Sequence, residues 1–103
     1  MKKSIILLFA ITLSFIGSSF ANDHERRADA HVNARNFTDA IASYTLAIQD
    51  TPDDAMLYFK RAKAYLHSNQ YDEYLVDMQE ALRIDPELPG KLTRQEKLDD
   101  RPQ

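Results

Sequence analysis

The chain repeats its own layout after 34 residues, and this repeat limits the fold more than any other feature. Pro52 and Pro86 are 34 residues apart. The same shift overlays residues of like kind: Ala28 on Ala62, Ala47 on Ala81, Phe37 on Tyr71, Ile41 on Leu75 and Ile48 on Leu82. A period of roughly 20 to 50 residues indicates stacked equivalent units, each burying its apolar face against the next.

Each unit has the pattern of two amphipathic helices. In the unit from Ala55 to Pro86, apolar residues recur at three- and four-residue spacing on both sides of the polar break at residues 68–70. In the first unit Asn36 separates the helices, and we expect Thr38 to cap the second of them. The acidic pair at residues 53–54 precedes the next helix, where carboxylates favour the positive end of the helix dipole. No run alternates with period two, so an all-α fold is predicted.

The second unit resembles the tetratricopeptide repeat family. Residues at the signature positions of that family are Tyr58, Ala62, Tyr65, Tyr71, Ala81 and Pro86, and the run YFKRAKAY is similar to its first-helix pattern. The first unit keeps Ala28, Phe37, Ala40, Tyr44, Ala47 and Pro52. It departs from the family at His24 and His31, and the second unit departs at Tyr74 and Met78. The resemblance implies an α-solenoid of two antiparallel helix pairs, in which alanines let the helix axes approach closely.

The predicted organisation has four parts. Residues 1–21 form a signal peptide, residues 22–54 and 55–88 form the two repeats, and residues 89–103 form a cap or a tail. Stacked helix pairs need a polar-faced lid over the last helix.

The C-terminal part has two interpretations. Pro89-Gly90 is expected to end any helix, and Thr93 with Glu96 has the spacing of a capping box. One interpretation is a short helix from Thr93 to Asp99 that folds on Leu75, Leu82 and Leu88. The other is a disordered tail.

The amino end has the three parts of a secretory signal. Lys2 and Lys3 precede the apolar run Ile5 to Ile16, and small residues at Ser19 and Ala21 follow it. We expect cleavage after Ala21, a bacterial style of export, and a periplasmic or secreted protein with no membrane contact after cleavage. The alternative is an uncleaved membrane anchor, for which the apolar run is short.

Composition excludes several classes of function. The formal net charge of -3, with both signs interspersed, argues against a nucleic-acid partner. There is no cysteine, and the only two glycines do not form a phosphate-binding loop. Acidic residues occur as sequence neighbours such as Asp72-Glu73, which diverge on a helix and cannot share a proton. The sequence therefore predicts a protein that is not an enzyme and has no cofactor.

The family resemblance places a ligand on the inner, concave face, which first helices line. The residues predicted to bind a protein or peptide there are Arg26, Met56, Phe59, Lys60, Lys63, Leu66 and His67. Met56, Phe59 and Leu66 would provide apolar contact, because the core of the helix pair does not need them. The basic side chains would provide charge steering and could meet an acidic peptide.

Two alternatives stay open. The first is a self-associating structural module of the cell envelope, in which the exposed helix Asp72 to Ile84 pairs with a copy of itself. The second, more distant, is a metal or small-ligand carrier that uses His24, His31 and His67. Their spacing lacks the separation of four residues that places two imidazoles on one metal.

Overall fold

The computed structural model describes residues 23–99 of the 103, with side chains described for residues 23–94. The expected signal peptide, residues 1–21, lies outside the described residues. Helices occupy residues 23–33 (α1), Phe37–Asp50 (α2), Ala55–His67 (α3), Tyr71–Ile84 (α4) and Leu88–Asp99 (α5). Consecutive helices pack as pairs, and the described part of the chain contains no strand. The predicted all-α arrangement of helix pairs, as in a tetratricopeptide solenoid, is confirmed.

The turns inside the two helix pairs have the same backbone geometry. Arg35 has a φ of 60° and Asn69 a φ of 62°, both in the left-handed region. After Arg35, the N–H of Asn36 donates to the carbonyl of His31 at 2.7 Å, and Gln70 makes the equivalent bond in the second pair. This bond satisfies a carbonyl at the helix end and reverses the chain within three residues. The 34-residue period is therefore present in the backbone as well as in the side chains.

One of the two expected helix caps is wrong and the other is confirmed. Helix α2 begins at Phe37, so Thr38 lies inside its first turn and does not cap it. The tight turn leaves Asn36 as the flanking residue, without a side-chain cap. Before α3, the Asp54 carboxylate accepts a hydrogen bond from the Met56 N–H at 3.0 Å, as a capping residue does.

Small residues are fully buried between the helices. Ala28, Ala40, Ala62 and Ala81 are each 0% exposed. Larger side chains fill the space between the helices, and Tyr44, Ile48 and Leu57 belong to the same core as Ala28 and Ala40. Because interiors pack densely, a larger side chain at these alanines would separate the helices.

Helix α5 begins earlier than predicted, at Leu88, and includes Pro89 and Gly90. Proline is tolerated in the first turn of a helix, where its missing N–H has no intrahelical partner to lose. The expectation that these two residues end a helix is therefore wrong. The proposed capping role of Thr93 is also wrong, since its hydroxyl donates to the Pro89 carbonyl one turn back.

Contacts of α5 change the core of the second pair. Leu88 is 3% exposed and packs with Ala55 and Ala81, and Met56 and Phe59 lie half-buried against this cluster. The expectation that the core does not need Met56 and Phe59 is wrong, because it did not include Leu88. Leu75 and Leu82, the other expected contacts of the cap, stay 54% and 37% exposed.

A buried ion pair connects α3 to α4. Arg61 donates two hydrogen bonds to the Asp77 carboxylate, at 2.7 and 2.8 Å, and a third to the Thr45 hydroxyl of α2 at 3.1 Å. The side chains of Arg61 and Asp77 are 16% and 4% exposed. The guanidinium carbon lies 5.7 Å from the ring centre of Tyr58 and 5.9 Å from that of Tyr65. One arginine therefore holds three helices together.

We expect Asp77→Ala to destabilise the fold by about 3 kcal/mol, because it leaves the Arg61 charge buried without its partner. Urea denaturation followed by circular dichroism measures the change. The control is Glu80→Ala, which removes the exposed pair with Arg83 on the same helix and should leave stability unchanged. Equal effects of the two substitutions would contradict the role of the buried pair.

Candidate functional site

A groove of about 360 Å³ lies among the first three helices. Helices α1 and α2 line it with Asp29, Val32, Asn33, Phe37 and Tyr44. Helix α3 completes it with Lys60, Lys63, Ala64 and His67. Three predicted site residues, Lys60, Lys63 and His67, thus share one groove. Phe37, Tyr44 and Ala64 were assigned to the fold alone, and the sequence carries no signal that their edges reach the groove.

A polar cluster forms one end of the groove. The Asp29 carboxylate accepts hydrogen bonds from the Tyr44 hydroxyl at 2.5 Å and from the Lys60 ammonium at 3.1 Å. Lys60 also donates to Glu25 at 3.3 Å. The side chains of Lys60 and Glu25 are each 28% exposed, so water screens the cluster only in part.

The two acids determine the charge state of Lys60. Burial acts to lower the pKa of Lys60, but the hydrogen bond to Asp29 and the charges of Glu25 and Asp29 outweigh it and raise the pKa. Lys60 therefore stays protonated with its charge engaged inside the chain. Two carboxylates already surround Lys60, so an acidic ligand would compete with them for its charge.

Tyr44 carries its hydroxyl into the same cluster. Burial, followed by the hydrogen bond to Asp29 and the charge of that carboxylate, raises the pKa of Tyr44 well above 10.0, the ordinary value for a tyrosine. Its ring is 2% exposed and belongs to the core. The phenol therefore connects the core to the polar end of the groove.

Aromatic and basic groups form the other end of the groove. The imidazole of His67 stacks on the ring of Phe37, with centroids 4.9 Å apart and an interplanar angle of 14°. The guanidinium carbon of Arg35 lies 5.7 Å from the centre of the same ring. Lys63 places its ammonium 5.1 Å from the centre of the Phe59 ring, and its side chain is exposed. This end of the groove offers positive charge beside an aromatic surface.

The remaining predicted site residues lie elsewhere. Arg26 is paired with Asp23 at 2.7 Å on α1. Met56 lines a second cavity, of about 470 Å³, between the start of α3 and α5. Leu66 is 39% exposed on α3 but does not line the groove.

The histidines have separate surroundings. His24 lies 4.0 Å from the Asp50 carboxylate, whereas His67 stacks on Phe37 at the other end of the first pair. Among the side chains of residues 23–94, no three histidine or acidic groups come close enough to hold a metal ion. No helix within residues 23–99 is long and apolar enough to cross a bilayer.

Comparison with known proteins supports the tetratricopeptide resemblance. The chain is 37% identical over 68 residues to tetratricopeptide repeat protein 36 of Caenorhabditis briggsae, covering 66% of this chain and 38% of that protein. It is 33% identical over 73 residues to a protein SGT1 homolog of Oryza sativa subsp. japonica, covering 71% of this chain and 20% of that protein. The chain thus matches well under half the length of either relative. No protein family model matches it. Both relatives are eukaryotic and give no support to bacterial export.

We expect Tyr44→Phe to lower the free energy of unfolding at neutral pH by about 1.5 to 3 kcal/mol, because it removes a hydrogen bond to a charged carboxylate. Denaturant unfolding measures the change. The control is Tyr71→Phe, at a ring that is 57% exposed, and it should have little effect.

The same variant tests the pH dependence. The folded state keeps the Tyr44 proton when the unfolded state releases it near pH 10.0, so wild-type stability falls as pH rises above that value. The raised pKa of Lys60 acts in the same direction. Between about pH 9 and 11, Tyr44→Phe should lose less stability than the wild type. Parallel curves would contradict this linkage.

Proposed function

We propose that the chain is an exported module of the tetratricopeptide type that binds an extended segment of another protein in the groove between α1, α2 and α3. Binding involves no catalysis and no cofactor. The observation that carries the proposal is the groove itself, where a basic end with the Phe37–His67 stack faces a polar end in which two acids surround Lys60. The named tetratricopeptide relative supports the same class of function.

The charges along the groove favour a particular orientation of the bound segment. At the polar end, Glu25 and Asp29 carry two negative charges against the single positive charge of Lys60. At the other end, Arg35 is positive beside the Phe37–His67 stack, and Lys63 places its charge on the Phe59 ring. Along α3, His67 lies seven residues, about 10 Å, from Lys60, and Lys63 lies between them, about 5 Å from Lys60. A segment with an acidic or aromatic residue at one end and a basic residue three or four residues away would fit both.

The apolar side chains that line the groove are not the three expected to provide apolar contact, Met56, Phe59 and Leu66. Val32 and Phe37 line it, whereas Met56 and Phe59 pack near α5. We therefore assign the apolar recognition to Val32 and Phe37, and the charge steering to Lys63 instead of Lys60. His67 keeps its predicted place in the site.

Photo-crosslinking tests the groove in the full chain. A benzophenone amino acid at Asn33, an exposed residue of the groove wall, should capture a protein in the native cell. The same probe at Arg94, exposed on α5, should not capture that protein. Equal capture from both positions would contradict a groove-specific partner.

A peptide from the captured protein then allows a quantitative test. Lys63→Glu should weaken its binding at least about tenfold in calorimetry, equivalent to about 1.4 kcal/mol, because it reverses the charge at the basic end. Arg94→Glu makes the same change of charge on α5 and should alter affinity less than about twofold. The proposal fails if the two variants bind the peptide equally.

Export has an independent test. We expect the chain purified from a bacterial host to begin at Asn22 and to appear in the periplasmic fraction or the medium, because the segment before it has signal-peptide character. Intact mass and cell fractionation measure both. Ala21→Tyr should block cleavage, because the cleavage site requires a small residue. A mature cytoplasmic chain that keeps Met1 would refute export.

A further inference from the structure

Helix α4 presents a row of large apolar side chains that the described part of the chain leaves uncovered. Tyr71 is 57% exposed, Leu75 54% and Leu82 37%, and Met78 between them is half-buried. We call Tyr71, Leu75, Met78 and Leu82 the α4 stripe. At 3.6 residues per turn the four positions fall within about 60° of one another on the helix surface.

The α4 stripe has the spacing of a coiled-coil seam. Its members are separated by four, three and four residues, which is the alternation of core positions in a heptad. The spacing is the same in both directions along the helix. Two copies in antiparallel orientation therefore align all four positions, with Tyr71 opposite Leu82 of the second copy and Leu75 opposite Met78.

Charges beside the stripe favour the antiparallel orientation. Asp72 and Glu73 lie in the first turn of α4, and Arg83 lies in its last turn. Antiparallel pairing brings the acidic end of one helix beside Arg83 of the other, which pairs with Glu80 of its own helix but keeps its side chain 68% exposed. Parallel pairing would instead place like charges together and align the helix dipoles unfavourably.

The last helix leaves the stripe open. Helix α5 packs through Leu88 and Leu92 on Ala55, Ala81 and their neighbours, near the end of α4. Tyr71 and Leu75, toward the start of α4, stay more than half exposed with α5 in place. The stripe is therefore an unpartnered helix face with a self-complementary pattern.

We propose that two copies of the chain associate through the α4 stripe in an antiparallel, two-fold symmetric pair. The interface is isologous, since each residue meets its counterpart by symmetry. It uses a surface separate from the groove, so it stands independently of the peptide-binding proposal. Its small apolar area predicts a weak, concentration-dependent dimer.

Sedimentation equilibrium of the chain as recovered from cells, over about 10 to 500 μM, measures the association. We expect Leu75→Glu to raise the dimer dissociation constant at least about tenfold, because it places two carboxylates in the apolar seam. Val76→Glu is the matched control: Val76 is 64% exposed on the same helix but lies about 100° from Leu75, outside the stripe. It should change the constant less than about twofold.

Crosslinking of introduced cysteines tests the antiparallel orientation of the two α4 helices with variants that introduce no charge. The chain has no cysteine, so introduced thiols are the only ones present. A mixture of Tyr71→Cys and Leu82→Cys chains should give the mixed crosslink with a short bismaleimide. Tyr71→Cys alone should not crosslink to itself, because the two copies of position 71 lie about 16 Å apart along the pair.

Each outcome decides the proposal. Concentration-dependent dimers that Leu75→Glu weakens and Val76→Glu does not, together with the mixed crosslink, support it. A monomer at every concentration overturns the proposal. Dimers equally sensitive to both glutamates overturn it, as does self-crosslinking of Tyr71→Cys, which requires parallel helices. Circular dichroism confirms that each variant remains helical.

Discussion

The ion pair between Arg61 and Asp77 is the interaction on which the arrangement of the helices depends. A charge buried to this degree is tolerated only when its hydrogen bonds are satisfied, and the bidentate geometry together with the Thr45 hydroxyl satisfies them. No described buried side-chain nitrogen or oxygen lacks a partner. Because the two hydrogen bonds are only 2.7 and 2.8 Å long, a shift of α3 along α4 by one turn, about 5.4 Å, would separate the pair. The rotation of α3 is fixed in the same way, and with it the direction in which Lys63 and His67 point.

The two helix pairs use different polar contacts in equivalent places. Arg27 is the counterpart of Arg61, but Ser43 stands where the second pair has Asp77, and Arg27 instead pairs with Asp23 at the surface. The first pair is joined by Asp29 and Tyr44, together with Lys60 from the next helix. This contact lies inside the groove, whereas the Arg61 contact does not line it. The first pair therefore uses part of the charge of the groove for its own stability.

Features that are local or periodic could be predicted from the sequence. The particular side chains that meet across two helices could not. The period, the buried alanines and the cap at Asp54 follow from residue type and spacing alone. The engagement of Lys60 follows from which acids α1 brings beside it, and spacing within α3 carries no information about that. Phe59 packs in the core because Leu88 lies beside it. Leu88 begins α5, and the proline at position 89 hid that start from a reading of the sequence. Errors therefore concentrate where the second repeat meets α5, because neither repeat supplies a template for that contact.

A two-unit array has a consequence for binding strength. Repeat proteins bury each unit against a neighbour, so a short array leaves its last apolar face open unless a lid covers it. Here the described side chains of α5 cover that face through Leu88 and Leu92, and the α4 stripe remains exposed beside them. If two copies pair through the α4 stripe, the dimer has two grooves, whereas each single chain has one groove among α1, α2 and α3. A partner with two binding segments would then be held by both, and the effective concentration of the second groove would raise avidity without any new contact in either. Because the dimer is weak, the gain in avidity would depend on the local concentration of the chain.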